Sequence, residues 1–260
     1  MKTQSLLLVL ALIWGVHLSG QNNPPAFVRW QLQTNAGIAL PLAKLKTGAI
    51  TDLLIDYDDQ YVYWQFITAN YFFASNWGLS VTIQGNPFTD PNKNGERLLQ
   101  TLAARYEQNY LVTSGPFKYG EEPNINTNIY LGVVYRKDFN KISLIPKLQI
   151  GATSFYAKRS NVYLKEINRN NHLQITYQSN RASTAHDGFT VMTGLTLACH
   201  LGKRFTLDLH TQLYGFITQF SYTEQIRNTY TEAIEVNTYD YDRINGTFSV
   251  GLGIGYKFAP

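Results

Sequence analysis

Between residues 243 and 258 the chain alternates in character with each residue. Ile244, Phe248, Val250, Leu252, Ile254, Tyr256 and Phe258 fall on one side of an extended chain, and Arg243, Asn245, Thr247, Ser249, Gly251, Gly253, Gly255 and Lys257 on the other. A two-residue period is that of a β-strand with two unlike faces. It recurs near the N-terminus, where Val28, Trp30, Leu32, Ile38 and Leu40 oppose Arg29, Gln31, Gln33 and Asn35, and again where Phe205, Leu207, Leu209, Leu213 and Ile217 oppose Asp208, His210 and Gln212. Composition agrees with an all-β chain: 44% of the 260 residues are hydrophobic, only 15% are charged, and Tyr, Phe and Trp number 18, 14 and 4. Disordered, collagenous and coiled-coil chains have other signatures. A mean hydropathy of -0.21 excludes a bundle of membrane helices.

Eight strands are expected, over 27–40, 61–75, 77–86, 124–137, 142–157, 189–201, 204–222 and 243–258. The connections after the second, fourth and sixth are short, around Asn76, from Lys137 to Lys141 and at Gly202-Lys203, whereas those after the first, third, fifth and seventh are long. A soluble sandwich has no reason to alternate short turns with long loops. A barrel crossing a membrane has one end of each kind. A charge facing lipid near the midplane costs roughly 2–4 kcal/mol, and in this register Arg29, Arg136, Lys147, Asp208, Arg243 and Lys257 all face inward. The second strand resists the pattern, because Tyr63, Trp64, Phe66, Tyr71, Phe72 and Phe73 occupy both faces; its aromatics, with Trp77, suit an interfacial belt.

Met1-Lys2, the apolar run Leu6–Val16 and the segment ending at Gly20 read as a signal peptide over 1–20, leaving 21–260 as the mature barrel domain. The chain closes on Gly253, Tyr256 and Phe258, a glycine followed by aromatics at alternate positions. This ending resembles the C-terminal strand signal of outer-membrane barrels. With the signal peptide and eight strands, the chain is similar to the small OmpA/OmpX-like barrels of the porin family; Ala259-Pro260 after the terminal aromatic are a departure from many of them. The resemblance implies an eight-stranded antiparallel up-and-down transmembrane barrel with short periplasmic turns and long extracellular loops. It also implies insertion by the barrel-assembly machinery and a setting of outer-membrane lipid and lipopolysaccharide.

Eight strands enclose a lumen that side chains just fill. A polar core of Arg29, Gln31, Gln33, Lys147, Gln149, Asp208, His210, Gln212 and Lys257 is expected there as a hydrogen-bonded plug, with a narrow channel for small solutes as the alternative. Some outer-membrane barrels acylate or deacylate lipid A with His, Ser and a carboxylate. The pairs Asp208/His210 and His186/Asp187, the latter near Ser183, are therefore candidates, but neither carries a motif of those enzymes, and no catalytic residue is assigned. The single Cys199 excludes a thiolate metal cluster and an internal disulfide. Asp52, Asp56, Asp58 and Asp59 lack calcium-loop spacing, so no metal and no cofactor is expected. A formal charge of +4 is too mild to argue for nucleic acid.

The loops hold more structure than loops usually do. Val162–Leu164 and Leu173–Tyr177 flank Asn168–Asn171, and Tyr222–Tyr239 continues the last two strands, so ribbons are expected to project beyond the membrane and to offer a strand edge to an extracellular protein partner. Leu98, Leu99, Leu102 and Tyr106 recur at helical spacing and are expected to form a lid over the barrel mouth. Residues 158–188 carry a net +3 and residues 223–242 a net -4, which predicts attraction between the two loops or contact of the basic one with lipopolysaccharide phosphates. The expectation is a monomeric outer-membrane barrel with a structural or surface-interaction role rather than an enzyme.

Overall fold

The computed structural model describes residues 28–42, 50–54, 61–88, 91–114, 126–156, 159–169, 171–179 and 185–258. The expected signal peptide, Asp56, Asp58, Asp59 and Ser183 lie outside the described residues, as do the side chains of Asp52, His186 and Arg243. The elements run β1 (Trp30–Pro41), α1 (Ile50–Leu54), β2 (Tyr61–Phe72), β3 (Trp77–Phe88), α2 (Pro91–Tyr106), β4 (Tyr110–Ser114), β5 (Asn126–Tyr135), β6 (Lys137–Phe139) and β7 (Ile142–Tyr156). They continue β8 (Ser160–Glu166), β9 (His172–Ser179), β10 (Ala185–His200), β11 (Phe205–Asn228) and β12 (Ile234–Phe258).

Eight of these strands, β1, β2, β3, β5, β7, β10, β11 and β12, pair antiparallel with their neighbours in chain order. β12 returns to β1 over Trp30–Pro41 and Thr247–Phe258, so the barrel is closed and its lower part has no edge. The staves coincide with the eight expected strands to within a few residues at most ends. The tight turn into β7 places Asn140 at φ 41°, a left-handed position that Asn tolerates better than most residues.

The barrel is polar inside and apolar outside. Gln31, Gln33 and Asn35 on β1 are buried, while Trp30, Ile38 and Leu40 are exposed. Thr206, Asp208, His210 and Gln212 on β11 are buried, while Phe205, Leu207, Leu213 and Ile217 are exposed. A water-soluble barrel of lipocalin type would show the inverse, because its outer face meets water. The exposed apolar side of β11 runs from Phe205 to Ile217. At about 3.3 Å per residue and a tilt of roughly 40°, this gives a band about 30 Å tall, the height of a bilayer's hydrocarbon core. Trp30 against Tyr71, Trp77 against Tyr135 and Tyr256 against both Phe205 and Phe258 form an aromatic belt at the short-turn end.

The irregular second strand has a structural cause. β2 carries a bulge at Phe66, where its pairing with both β1 and β3 shifts by one. Tyr61, Tyr63 and Gln65 point inward, Phe66 and Ile67 both face outward, and Thr68, Asn70 and Phe72 point inward again. One extra residue reverses the odd-even phase halfway along the strand, so a single two-residue period cannot describe it.

β11 and β12 continue well past the membrane band, paired to each other as far as Arg227 and Ile234. β9 joins the extended part of β11 through Tyr222–Asn228, β8 joins β9, and β4 joins β8. The result is a folded head beyond the membrane band. The ribbon over 160–179 is thus a separate hairpin laid sideways onto β11 rather than a projection of the flanking staves, and both its edges are occupied. For the 160–179 ribbon this corrects the expectation of an edge open for strand addition. α2 begins with Pro91, whose fixed φ and missing N–H suit a first helical position. Its Leu98 and Leu102 are fully buried with Val162, Leu164, Ile175 and Tyr177, in a cluster that continues down to Tyr63, Tyr130 and Tyr214 inside the mouth. The helix is therefore a layer of the head as well as a lid.

Candidate functional site

Among the described residues, polar side chains gather in three places. In the middle of the lumen, Asn70 Nδ2 donates to Gln33 Oε1 at 3.0 Å and Gln33 Nε2 to Asp208 Oδ2 at 2.8 Å. A second chain crosses the barrel: Gln212 Nε2 donates to Gln65 Oε1 at 2.8 Å, Gln65 to Thr68, Thr68 meets Thr82 at 2.9 Å, and Thr82 donates to Gln149 Oε1 at 3.2 Å. The sequence-predicted Gln33, Gln149, Asp208, His210 and Gln212 come together here. Lys147 lies buried beside Gly194, where a Cβ would stand only 2.8 Å from Lys147 Cε, so the glycine makes room for the lysine. Gln65, Thr68 and Asn70 were not predicted, because the bulge at Phe66 hid their phase; Thr82 lies on β3, where the alternation of Trp77–Thr82 would have placed it inside.

The polar layer has an apolar stopper at each end. Tyr61, Tyr63, Tyr130 and Tyr214 close the long-loop side, with the Tyr61 and Tyr214 hydroxyls bonded to each other. Phe72, Val134, Ile145 and Ala198 close the other, and the Arg136 guanidinium lies 4.1 Å from the Phe72 ring centroid. His210 has a hydroxyl partner the sequence did not name, Thr196 Oγ1 at 2.9 Å from Nδ1, while its Nε2 lies 3.8 Å from Asp208 Oδ2. Hydroxyl, imidazole and carboxyl thus stand in line, yet Thr196, His210 and Asp208 are all at most 1% exposed, and attack on a substrate needs access.

The second place is the short-turn mouth. Gln31 and Lys257, also expected in the lumenal polar core, are buried here and line a small cavity with Val28, Arg136, Asp138, Ser143 and His200. Arg29 precedes β1 and is exposed. Ser143 donates to Asp138 and lies 2.6 Å from His200 Nε2, and Arg136 Nε is 3.4 Å from Asp138. The Ser143 proton is already committed to the carboxylate, so His200 is left to donate to the hydroxyl, the reverse of an activated nucleophile.

The third is in the head. Glu224 on β11 is 1% exposed and takes three donors: Arg105 Nη1 at 3.0 Å and the Tyr177 hydroxyl at 2.6 Å on Oε1, and the Tyr239 hydroxyl at 3.1 Å on Oε2. Burial, then the bond to Glu224, pushes the Tyr177 hydroxyl well above the ordinary tyrosine range. Beside this knot opens a cleft of about 530 Å³, bounded by the end of α2, the start of β4 and the tips of β11 and β12. The tip is fixed by Asn228 Oδ1, which accepts from the backbone N–H groups of Tyr230 and Thr231 at 3.0 Å each. Among the described residues, the segments 158–188 and 223–242 are joined by the β9–β11 ladder and by the bond from Tyr177 to Glu224, while the cation on Glu224 comes from α2. Extending the strand parity of β11 beyond Tyr222 would have placed Glu224 inside.

Closed strand order and inverted faces define an eight-stranded transmembrane β-barrel, here with a folded head on its long-loop end. No protein-family model and no curated protein matches the chain. Among solved structures it is similar to a major outer membrane protein of Thermus thermophilus, with TM-score 0.41, 9% identity, 89% of this chain covered and 99% of that one. It is also similar to the outer membrane protein AlkL in lipid bilayers, with TM-score 0.38, 12% identity and coverage of 94% and 96%. The N-terminal β-barrel domain of OprF of Pseudomonas aeruginosa gives TM-score 0.36, 11% identity and coverage of 89% and 98%.

Proposed function

We propose that the protein is an exported outer-membrane barrel whose staves act as an anchor and whose head is a surface-interaction module. The observation that carries this reading is the contrast between a sealed lumen and an open, rigidly framed cleft. Cross-lumen bonds such as Gln212 to Gln65, with tyrosines above and Phe72 below, argue against a conducting pore. The burial of Thr196, His210 and Asp208 argues against lipid A chemistry in the barrel. Gly253, Tyr256 and Phe258 lie on the strand that closes the barrel against β1, a fitting place for the signal read by the insertion machinery. The lipid-facing band and aromatic belt would meet outer-membrane lipid, with lipopolysaccharide around the head.

The test is surface labelling. Tyr230 at the β11–β12 tip is 81% exposed. In a chain with Cys199→Ser and Tyr230→Cys, a membrane-impermeant maleimide should label intact cells as fully as broken ones. Labelling only after lysis would overturn the outward-facing head and, with it, the surface role.

A further inference from the structure

We propose that the outer cleft is a binding site for neutral oligosaccharide, an inference that rests on the surface-interaction reading and gives it a ligand class. The cleft is mixed in character in a specific way. Arg105 is held by Glu224 through one nitrogen but is still 45% exposed, so the rest of its guanidinium borders the opening. Guanidinium carries five N–H donors in a fixed fork and no acceptor. The lining also holds acceptors: Glu235, and Asn237, whose Nδ2 donates to Glu235 Oε1 at 3.0 Å and so fixes both. The same lining holds rings. Tyr106 and Tyr110 meet edge to face at 6.2 Å and 90°, and the Arg105 guanidinium carbon is 5.7 Å from the Tyr106 centroid.

A sugar ring matches such a lining. Its rim of hydroxyls both donates and accepts, serving Arg105 on one side and Glu235 on the other, and the C–H patch on its face packs on an aromatic ring. Charge narrows the choice further. Arg105 is outnumbered by Glu224 and Glu235, so the cleft carries a formal net negative charge, and a phosphate or sulfate group would meet Glu235 without a cation to spare. Glu224 is already shared among Arg105, Tyr177 and Tyr239, so its part is to hold the guanidinium in place rather than to meet ligand. The volume lies within the range of small-molecule sites and has room for more than one ring. Its position beyond the lipid band, on strands continuing about 35 Å past Ile217, exposes it to glycans in the medium and to the sugar chains of surrounding glycolipid.

The experiment uses the full mature chain refolded into phosphatidylcholine nanodiscs, titrated with an array of neutral oligosaccharides (glucans, mannans, galactans) and, separately, with sulfated oligosaccharides and a lysine-rich peptide. At least one neutral series should bind, with affinity reduced about tenfold or more by Glu235→Ala and by Tyr110→Ala while the head still resists protease. Arg105→Gln should do the same; because it also loosens the head, the other two variants are the decisive ones. A second arm compares nanodiscs containing lipopolysaccharide with long and with truncated sugar chains: protection of the cleft from labelling only by the long form assigns the ligand to the surrounding glycolipid, and binding of free sugar alone assigns it to the medium. A folded head that binds no neutral sugar, that prefers the sulfated sugars or the peptide, or whose binding ignores Glu235→Ala and Tyr110→Ala would overturn the proposal. Surface labelling at residue 230 is independent of that result, so failure of the ligand class and failure of the outward-facing head are told apart.

Discussion

β11 is one continuous strand in two solvents. In its lower half the buried side is Thr206, Asp208, His210 and Gln212 and the exposed side Phe205, Leu207, Leu213 and Ile217; in its upper half the buried side is Tyr214, Phe216, Phe220 and Tyr222 and the other side Gln219, Ser221 and Thr223. The parity never changes, but the chemistry of both faces inverts. β12 does the same, its outward face passing from Ile244 to Asp242 and Asp240. The outer switch, from Ile217 to Gln219, marks where lipid gives way to water. The inner switch, from Gln212 to Tyr214, lies deeper, because the apolar core of the head reaches down into the barrel mouth as its stopper. The lower region is organised by faces and the upper one by a core.

That distinction predicts different weak points. The largest effect is expected in the head core, where Leu102→Ala removes a fully buried side chain and should destabilise the head by about 2–5 kcal/mol. The barrel should not notice: protease should cut the head while the staves keep their folded mobility on unheated gels. Loss of both together would mean that head and barrel are a single cooperative unit. Next, the same charge placed on the two outward faces should give unlike results. Leu252→Arg, on the lipid face halfway along the lower part of β12, should cost roughly 2–4 kcal/mol and reduce insertion. Ser221→Arg, just above the outer switch, should stay within about 0.5 kcal/mol. Equal effects in a refolding assay would place the membrane boundary elsewhere.

Alkaline pH should separate the regions without mutation. The Tyr177 hydroxyl is held above its unfolded value by burial and by its bond to Glu224, so its contribution is complete below an unfolded pKa of about 10 and fades as pH rises above it. The head should therefore become cleavable by subtilisin as pH passes from about 9.5 to 11. Tyr177→Phe should flatten that dependence while lowering head stability at neutral pH by about 1 kcal/mol. A head equally resistant throughout would remove Tyr177 from the account.

What was legible in the sequence follows the same division. Strand faces repeat every two residues, so β1, β11 and β12 could be read directly, with Gln33, Asp208, His210 and Gln212 placed inside. The segments over 162–164 and 173–177 were legible as a hairpin for the same reason. Its docking onto β11 was not, because pairing between separate hairpins leaves no period. Nor was the Arg105–Glu224 pair, whose partners are 119 residues apart and meet only once α2, β9 and β11 have assembled. On β2 the two-residue period itself failed, and there the cause is a single residue.

That residue supplies the last predicted effect. With Phe66 in place, Gln65 and Thr68 both point inward although they are three apart, and Phe66 and Ile67 both face lipid. Deleting Phe66 would leave Tyr61, Tyr63, Gln65, Thr68, Asn70 and Phe72 at uninterrupted two-residue spacing, all still inward, with the bonds from Gln212 to Gln65 and from Thr68 to Thr82 available as before. The only apolar side chain lost is one already facing lipid, so the deletion should cost about 1 kcal/mol or less, with normal insertion. Deleting Ile83, opposite the bulge on β3, should instead turn one half of that stave inside out and abolish insertion. If both deletions fail alike, the bulge is required for barrel closure and is more than an extra residue that the two faces accommodate.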